Sequence, residues 1–484
     1  MARLGGVTRL GGGTGRRSVA GVTGAGFTAL AQFVLVVVVA RAFSAAEAGA
    51  FFAVTASTLM AAGIAKLDAG NGLVYFIARA EASGYRDISG YIRAGLVPGV
   101  VLACIAGVML YPRLGPLAAV LPAMVAADVL LAATRGFGAM RPVVVLEGVL
   151  LPACQLVLVA GAAVAGDGAW LAPAWGLPYV PVLILAAIAL RNRMPHPPSP
   201  QHTGQAMRPP EQPGAGREAQ LLGPPGAGRV ARLLTQSGAG RVVRLLGRLR
   251  AGRVRSPGPA GMGRELWRYT APRSVAGAIQ AVFQRVDIVV VAVLGGPEQA
   301  AVYTAATRFK VVGQLAGQGL AQAVQAGLVR ALACGDVRRA RELYQSTTIW
   351  LVLLTWPLWL VYGALAPWVL RLFGPTYGSA APVALVLAGT MMVATACGTV
   401  DVVLTAAGHT GTSLLNLLAA VACTLALDLA LIPSHGALGA VVGWSGGVLV
   451  KNLLPLWQLH RRYGLHPFGR HTLPALRIRP RPAT

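Results

Sequence analysis

Twelve apolar stretches, each close to the ~20 residues a helix needs to cross a bilayer, dominate this chain and restrict what it can fold into. They lie at 19–41, 46–66, 92–111, 114–135, 143–166, 169–190, 270–295, 298–325, 346–369, 380–405, 411–432 and 436–459, as two sets of six around a basic insert. With 55% hydrophobic and only 12% charged residues, and a mean hydropathy of +0.62, a soluble chain of 484 residues could not hide its apolar surface. That excludes a soluble enzyme or a nucleic-acid-binding protein. Inside hydrocarbon each backbone polar group must be satisfied within its own segment, so spans of this length fold as helices. The expected fold is all-α: a polytopic integral membrane protein of about 12 transmembrane helices in two six-helix pseudo-repeat lobes.

The charges orient that bundle. The chain carries 42 Lys and Arg against 16 Asp and Glu. Of the basic residues, 34 fall in alternate connections and termini, and only Arg41, Arg113 and Arg371 fall in the others. Basic residues accumulate on the cytoplasmic side, so both termini are expected there and the protein is expected in the cell membrane. The apolar run after Arg16 and Arg17 exceeds the ~7–15 residues of a signal-peptide core and reads as an uncleaved first helix. The expected division is a cytoplasmic N-terminus (1–18), a first lobe (19–190), a cytoplasmic linker (191–268), a second lobe (269–460) and a basic cytoplasmic tail (461–484). The linker holds 14 Arg among many Pro and Gly, and repeats with a period of 12: AGREAQLL from Ala215, AGRVARLL from Ala227, AGRVVRLL from Ala239. This composition offers no closed apolar core. A basic segment lying on anionic lipid is the alternative.

The halves resemble one another. VVVVARAFSAAEAGAFFAVTA from Val36 is matched by IVVVAVLGGPEQAAVYTAAT from Ile288, and DVLLAAT from Asp128 by DVVLTAA from Asp401. The matches keep their order at corresponding helices. A parallel repeat of this kind places a cavity near the membrane midplane between the lobes.

The stretch ELWRYTAPRSVAGAIQAVFQRVDIVVVAVLGGPEQAAVYTAATRF (265–309), with GDVRRARELYQ (335–345), LRLFGPTYGSAAP (370–382) and LIPSHGALGAVVGWS (431–445), resembles bacterial polysaccharide-export flippases. These form the oligosaccharide branch of the multidrug/oligosaccharidyl-lipid/polysaccharide exporter superfamily. The resemblance is good over 265–468 and weaker over 17–190, where DAGNGLVYFIARA (68–80) is the best match. It implies twelve to fourteen helices in two lobes and alternating access. It also implies a polyprenyl-diphosphate-linked oligosaccharide, carried from the cytoplasmic to the outer leaflet, as partner.

Charges within the spans are the candidate site. A charged side chain at a helix centre costs about 2.5–3.5 kcal/mol on insertion scales, so such groups face a cavity or a partner. Arg285 and Asp287 lie on the seventh span, Arg308 and Lys310 on the eighth, all ~9–14 residues from the connection at Gly295–Pro297 and so near the midplane at ~1.5 Å per residue. Residues two apart on a helix point to nearly opposite sides, so Asp287 is expected to bridge to Arg308 or Lys310. Three cations against one carboxylate leave a surplus suited to a diphosphate, with Arg285, Arg308 and Lys310 as substrate ligands and Asp287 holding the cations. At an offset of 252 the first half places Phe33, Leu35, Ala56 and Thr58 at these positions, so the site is lopsided. Asp128, Asp401, Asp428 and Glu147 are the other acids within spans. Asp128 shares a face with Arg135, and Asp128 with Asp401 fits a pair closing the cytoplasmic mouth. Coupling to H+ or Na+ through these acids is the alternative.

The five cysteines are scattered without metal-ligand spacing, and the chain has no G-x-x-x-x-G-K-[ST], no H-E-x-x-H and no nucleophile elbow with its partners. No metal, cofactor, nucleic acid or enzymatic activity is expected. Two other transport readings remain open, a drug/cation antiporter and a peptidoglycan lipid-precursor flippase of the same superfamily. A membrane-embedded glycan polymerase or ligase is the reading from a different class, and the short outer loops, under about a dozen residues each, count against it.

Overall fold

The computed structural model describes residues 11–82, 88–194, 259–470 and 472. The 12-residue repeats, the ends of the chain and most of the linker lie outside them. Residues 194–262 form a unit of their own. Since the linker's composition provides no core, deleting 200–255 is expected to leave yield and thermal stability nearly unchanged. Loss of the folded protein would show a structural element there.

The protein is an all-α polytopic membrane protein. The first set contains α1 (Gly11–Ala42), α2 (Ala45–Ala65), α3 (Ala69–Ala82), α4 (Ser89–Leu114), α5 (Leu121–Gly136), α6 (Leu151–Ala165), α7 (Leu171–Gly176) and α8 (Tyr179–Arg191). The second contains α9 (Pro259–Phe283), α10 (Val286–Leu294), α11 (Pro297–Thr307), α12 (Lys310–Ala333), α13 (Val337–Ala364), α14 (Ala366–Leu370), α15 (Ala381–Ala396), α16 (Val400–Ala406) and α17 (Thr410–Tyr463).

Among the described residues eight helical stretches are long and apolar enough to cross a membrane, or nine when the bent pair α9–α10 counts as one span. Two of these, Ser89–Gly136 and Thr410–Tyr463, run 48 and 54 residues, over twice the ~20 that a bilayer requires. Each turns back at a glycine with φ of 53°, Gly115 and Gly436, a conformation in which a Cβ would clash. The expected span 298–325 is divided into α11 and α12, with Arg308 at the division.

Local chemistry explains the irregular helices. Residues 143–150 form a π-helix ahead of Pro152. Pro152 has no N–H to give to the carbonyl of Gly148, and that carbonyl accepts instead from Thr28 Oγ1 of α1 at 2.9 Å. In α17 the returning arm approaches the outgoing one along Gly439, Gly443 and Gly447, where an added Cβ would strike Leu431, Asp428 and Thr424. Small residues at this spacing let helix backbones approach in lipid.

Residues 69–82, which lie between the second and third expected spans, form a helix. α3 follows α2 after a corner at Leu67 and Asp68, whose φ values of 50° and 51° are unusual for residues with a Cβ. The corner is held by α9: Ser274 Oγ donates to the Leu67 carbonyl, and Arg273 Nε meets Asp68 at 2.9 Å. Further along, Tyr269 stacks on Tyr75 at 4.9 Å, and Glu265 joins Arg79 at 2.9 Å and Tyr91 at 2.8 Å. The first helix of the second set is thus fastened to the first set. After a 46° bend, α10 packs against α2, α11 and α17.

Candidate functional site

The bend between α9 and α10 contains neither Pro nor Gly. Asp287 supplies its local cause: its Oδ1 accepts the N–H of Ile288 at 2.9 Å, one of the donors a helix leaves unpaired in its first turn. Arg285 is the residue just before α10, with φ −135° and ψ −17°. Arg308 lies at the corresponding break between α11 and α12. Interrupted helices at mid-membrane are where transporter folds present charged and backbone groups to a ligand.

Spacing by two separates the four expected charges into two places. Asp287 and Lys310 turn inward among the helices of the second set, where Lys310 Nζ lies 3.1 Å from Asp287 Oδ2 and 5.2 Å from the centre of the Trp444 ring. Tyr303 donates to the same Oδ2 at 2.7 Å. Arg285 and Arg308 turn the other way and line one small cavity of about 40 Å³ with Gln32, Thr55, Thr304 and Trp175. Arg285 also lines a larger neighbouring cavity of about 320 Å³, walled by Lys66, Asp128 and Tyr179 on one side and by Gln280 and Gln284 of α9 on the other. The expected bridge to Asp287 is therefore made by Lys310. Neither Arg285 nor Arg308 makes an ion pair among the described residues. Arg308 donates instead to the carbonyl and Oε1 of Gln32, each at 3.2 Å.

Gln32 opens a chain of amides that the charge-based reading missed. Its Nε2 donates to Gln155 Oε1 at 2.9 Å, and Gln155, 1% exposed, donates to the carbonyl of Trp175 at 3.0 Å. Both glutamines interrupt otherwise apolar runs, ALAQFVLVVVV and LPACQLVLV, which is the signal that could have found them. At this point the first set of helices thus contributes neutral amides where the second contributes cations.

The remaining acids are dispersed. Asp128 on α5 faces Lys66 of the α2–α3 corner at 3.8 Å. Asp401 on α16 is exposed and accepts from Ser413, and no hydrogen bond or ion pair joins it to Asp128 among the described residues. Glu147 lies on the π-helix with its side chain exposed. Asp428 is 0% exposed, and neither carboxylate oxygen has a hydrogen-bond partner. Among the described residues no group of three or more His, Cys, Asp or Glu is placed to hold a metal ion.

The MatE family model matches residues 272–430. No curated protein matches the chain. Among solved structures, an inward-facing multidrug-resistance MATE transporter superposes with a TM-score of 0.62 at 16% identity, over 90% of this chain and 94% of its own. The lipid II flippase MurJ in an inward closed conformation gives 0.61 at 9% identity, over 95% and 90%. A transporter of the same superfamily from Pyrococcus furiosus, described as having a binding pocket of reversed polarity, gives 0.52 at 17%, over 93% and 95%. At these identities the likeness establishes the fold alone, an all-α polytopic membrane bundle.

Proposed function

We propose that the chain is a lipid-linked oligosaccharide flippase of polysaccharide biosynthesis, which moves a polyprenyl-diphosphate-linked glycan from the cytoplasmic to the outer leaflet of the cell membrane by alternating access. The observation that carries this reading is the pair Arg285 and Arg308: two guanidinium groups at two helix breaks, lining one cavity, with no carboxylate paired to either among the described residues. Buried charges normally have partners, and a diphosphate would supply the missing one. Arginine's planar fork grips phosphate oxygens in pairs. The Gln32–Gln155 amide chain fixes Arg308 from the first lobe, so a ligand between the arginines would feel both halves of the bundle. Lys310 is reassigned from substrate ligand to internal counter-ion of Asp287.

The same surplus of positive charge speaks against a cationic drug as cargo, whereas a peptidoglycan lipid precursor shares the diphosphate and the leaflet change. The reading has the linker and both termini in the cytoplasm, which the 34-to-3 distribution of basic residues supports.

The reading is tested with the purified protein in liposomes loaded with a fluorescent polyprenyl-diphosphate oligosaccharide in one leaflet. The diphosphate lipid is expected to become accessible to a quencher on the opposite side. A glycolipid of the same tail without phosphate is expected to move at the protein-free rate. Equal movement of both, or of neither, would overturn the assignment.

A further inference from the structure

The connection between α12 and α13 is basic, and beside it the two helices part. Residues 330–342 carry Arg330, Arg338, Arg339 and Arg341 against Asp336 and Glu342. Next to them runs an apolar groove of about 430 Å³, walled by Leu320, Val324 and Gly327 of α12 and by Leu343, Trp350 and Leu354 of α13. Gly327 brings the helices together at its floor, where an added Cβ would lie 3.2 Å from Leu343 Cδ1. Ser346 and Thr347 also line it, but both hydroxyls donate to the Leu343 carbonyl, at 3.0 and 2.7 Å. Their donors are thus spent on their own helix. Behind the floor Val324, Leu328, Tyr344, Leu404 and Leu465 are buried together, so the groove opens away from this core.

Its position says what fills it. The lining residues straddle the ends of two expected spans, which stop at 325 and resume at 346, so the groove dips from the interface into hydrocarbon. α13 exposes Trp350, Leu354, Leu358 and Val361, three or four residues apart, on one face, as a helix turned to lipid does. The groove runs ~10 Å along α12 and ~16 Å along α13 at ~1.5 Å per residue, close to the ~15 Å depth of one leaflet. That is room for one acyl chain and too short for a partner helix. The charges choose the headgroup. Arg330 is three residues past Gly327 and Arg339 four before Leu343, so both stand at the groove's basic end. Arg339 meets Glu342 at 2.7 Å, but the two side chains are 41% and 47% exposed, and a surface pair holds the guanidinium loosely. Arg330 is exposed and makes no ion pair among the described residues. Two arginines over an apolar groove of one chain's length match a phosphate carrying an acyl chain.

We propose that this groove is a binding site for an anionic phospholipid of the adjoining leaflet, with one acyl chain between α12 and α13 and the headgroup phosphate held by Arg330 and Arg339. A lipid seated there braces α12 on α13. The site stands apart from the cavity of Arg285 and Arg308: α12 begins two residues past Arg308, and Leu320 lies ~15 Å further along it. Its occupancy involves no glycan and does not depend on the flippase reading.

The test uses the purified full chain in phosphatidylcholine vesicles with a trace of phosphatidylglycerol carrying a diazirine in its acyl chain. Labelled peptides are quantified by mass spectrometry against a phosphatidylcholine probe with the same chain. α4, with Val101, Ile105 and Val108 exposed, is the reference for ordinary lipid contact. The phosphatidylglycerol probe is expected to exceed the phosphatidylcholine probe at 320–327 and 343–354 by about fivefold for each arginine engaged, and to match it on α4. Arg330→Gln/Arg339→Gln changes exposed side chains only, and is expected to fold and to erase the preference. Gly327→Phe fills the groove and is expected to bring labelling there down to the level of α4. If that variant does not fold, the arginine variant decides. Equal labelling by both probes, or a preference that survives loss of both arginines, would overturn the proposal. So would displacement of the phosphatidylglycerol probe from the groove by polyprenyl phosphate, which would give the groove to the tail of a transported lipid. Failure of the lipid-movement assay leaves this labelling untouched, so the two readings fail separately.

Discussion

Arg285→Ala or Arg308→Ala is expected to cut glycan export by roughly ten- to a hundredfold while the protein still inserts and folds. Removing either arginine leaves no carboxylate stranded, because neither is ion-paired among the described residues. What is lost is the grip on a ligand, and a hydrogen bond to a charged group contributes about 1.5–3 kcal/mol, or roughly 10- to 150-fold in rate if it is made only as the lipid passes. Arg→Lys is expected to restore export in part, because an ammonium keeps the charge and loses the paired geometry. Asp287→Ala contrasts with both. It leaves Lys310 buried without its carboxylate and should lower stability by about 3–5 kcal/mol. Export measured beside the amount of folded protein in membranes separates these cases. Wild-type export by both Arg→Ala variants would make the pair a structural feature.

Gly49→Val is expected to prevent the lobes from closing at the end that carries the loops before α2 and α11. At Gly49 the two helices touch backbone to backbone, and even a Cβ would lie 1.6 Å from the Pro297 carbonyl oxygen and 2.4 Å from its carbon. The neighbouring atom is backbone and cannot rotate aside, so α2 and α11 must separate. Closure at this end is reinforced by Arg41, whose Nε donates to the Leu372 carbonyl at 2.7 Å. Ala300, buried on α11, reports the gap. In a background with the native cysteines replaced, Ala300→Cys is expected to resist a membrane-impermeant maleimide in wild type and to react in Gly49→Val, with export falling at least tenfold. Equal protection in both would show that α11 shifts as a whole to make room.

The spans were legible because hydrocarbon imposes a length and a composition that survive in any sequence. The corner at Leu67–Asp68 was not, since its support comes from Arg273 and Ser274, some 200 residues away, and no local pattern announces a left-handed residue held from a distance. The four charges within the helices stood out by their cost in lipid, and the spacing by two separates Asp287 and Lys310 from Arg285 and Arg308. Which cation meets Asp287 depended on the bends at both breaks, and those follow from tertiary packing. Gln32 and Gln155 were passed over because uncharged amides stand out less than charges in an apolar run, although in lipid they too need partners.

The fastening of α9 to α3 has a consequence in time. Tyr75 and Arg79 leave the ribosome almost two hundred residues before Tyr269 and Glu265, and most of that interval is spent on α4–α8 and the arginine-rich insert. At 5–20 residues per second the wait is about 10–40 s. Throughout it α3 waits with an aromatic ring and a strained corner uncovered, while the rest of the first set is added. The nascent half therefore stays unfinished until translation is well into the second, and a longer insert would prolong that exposure even if it never touched the finished protein.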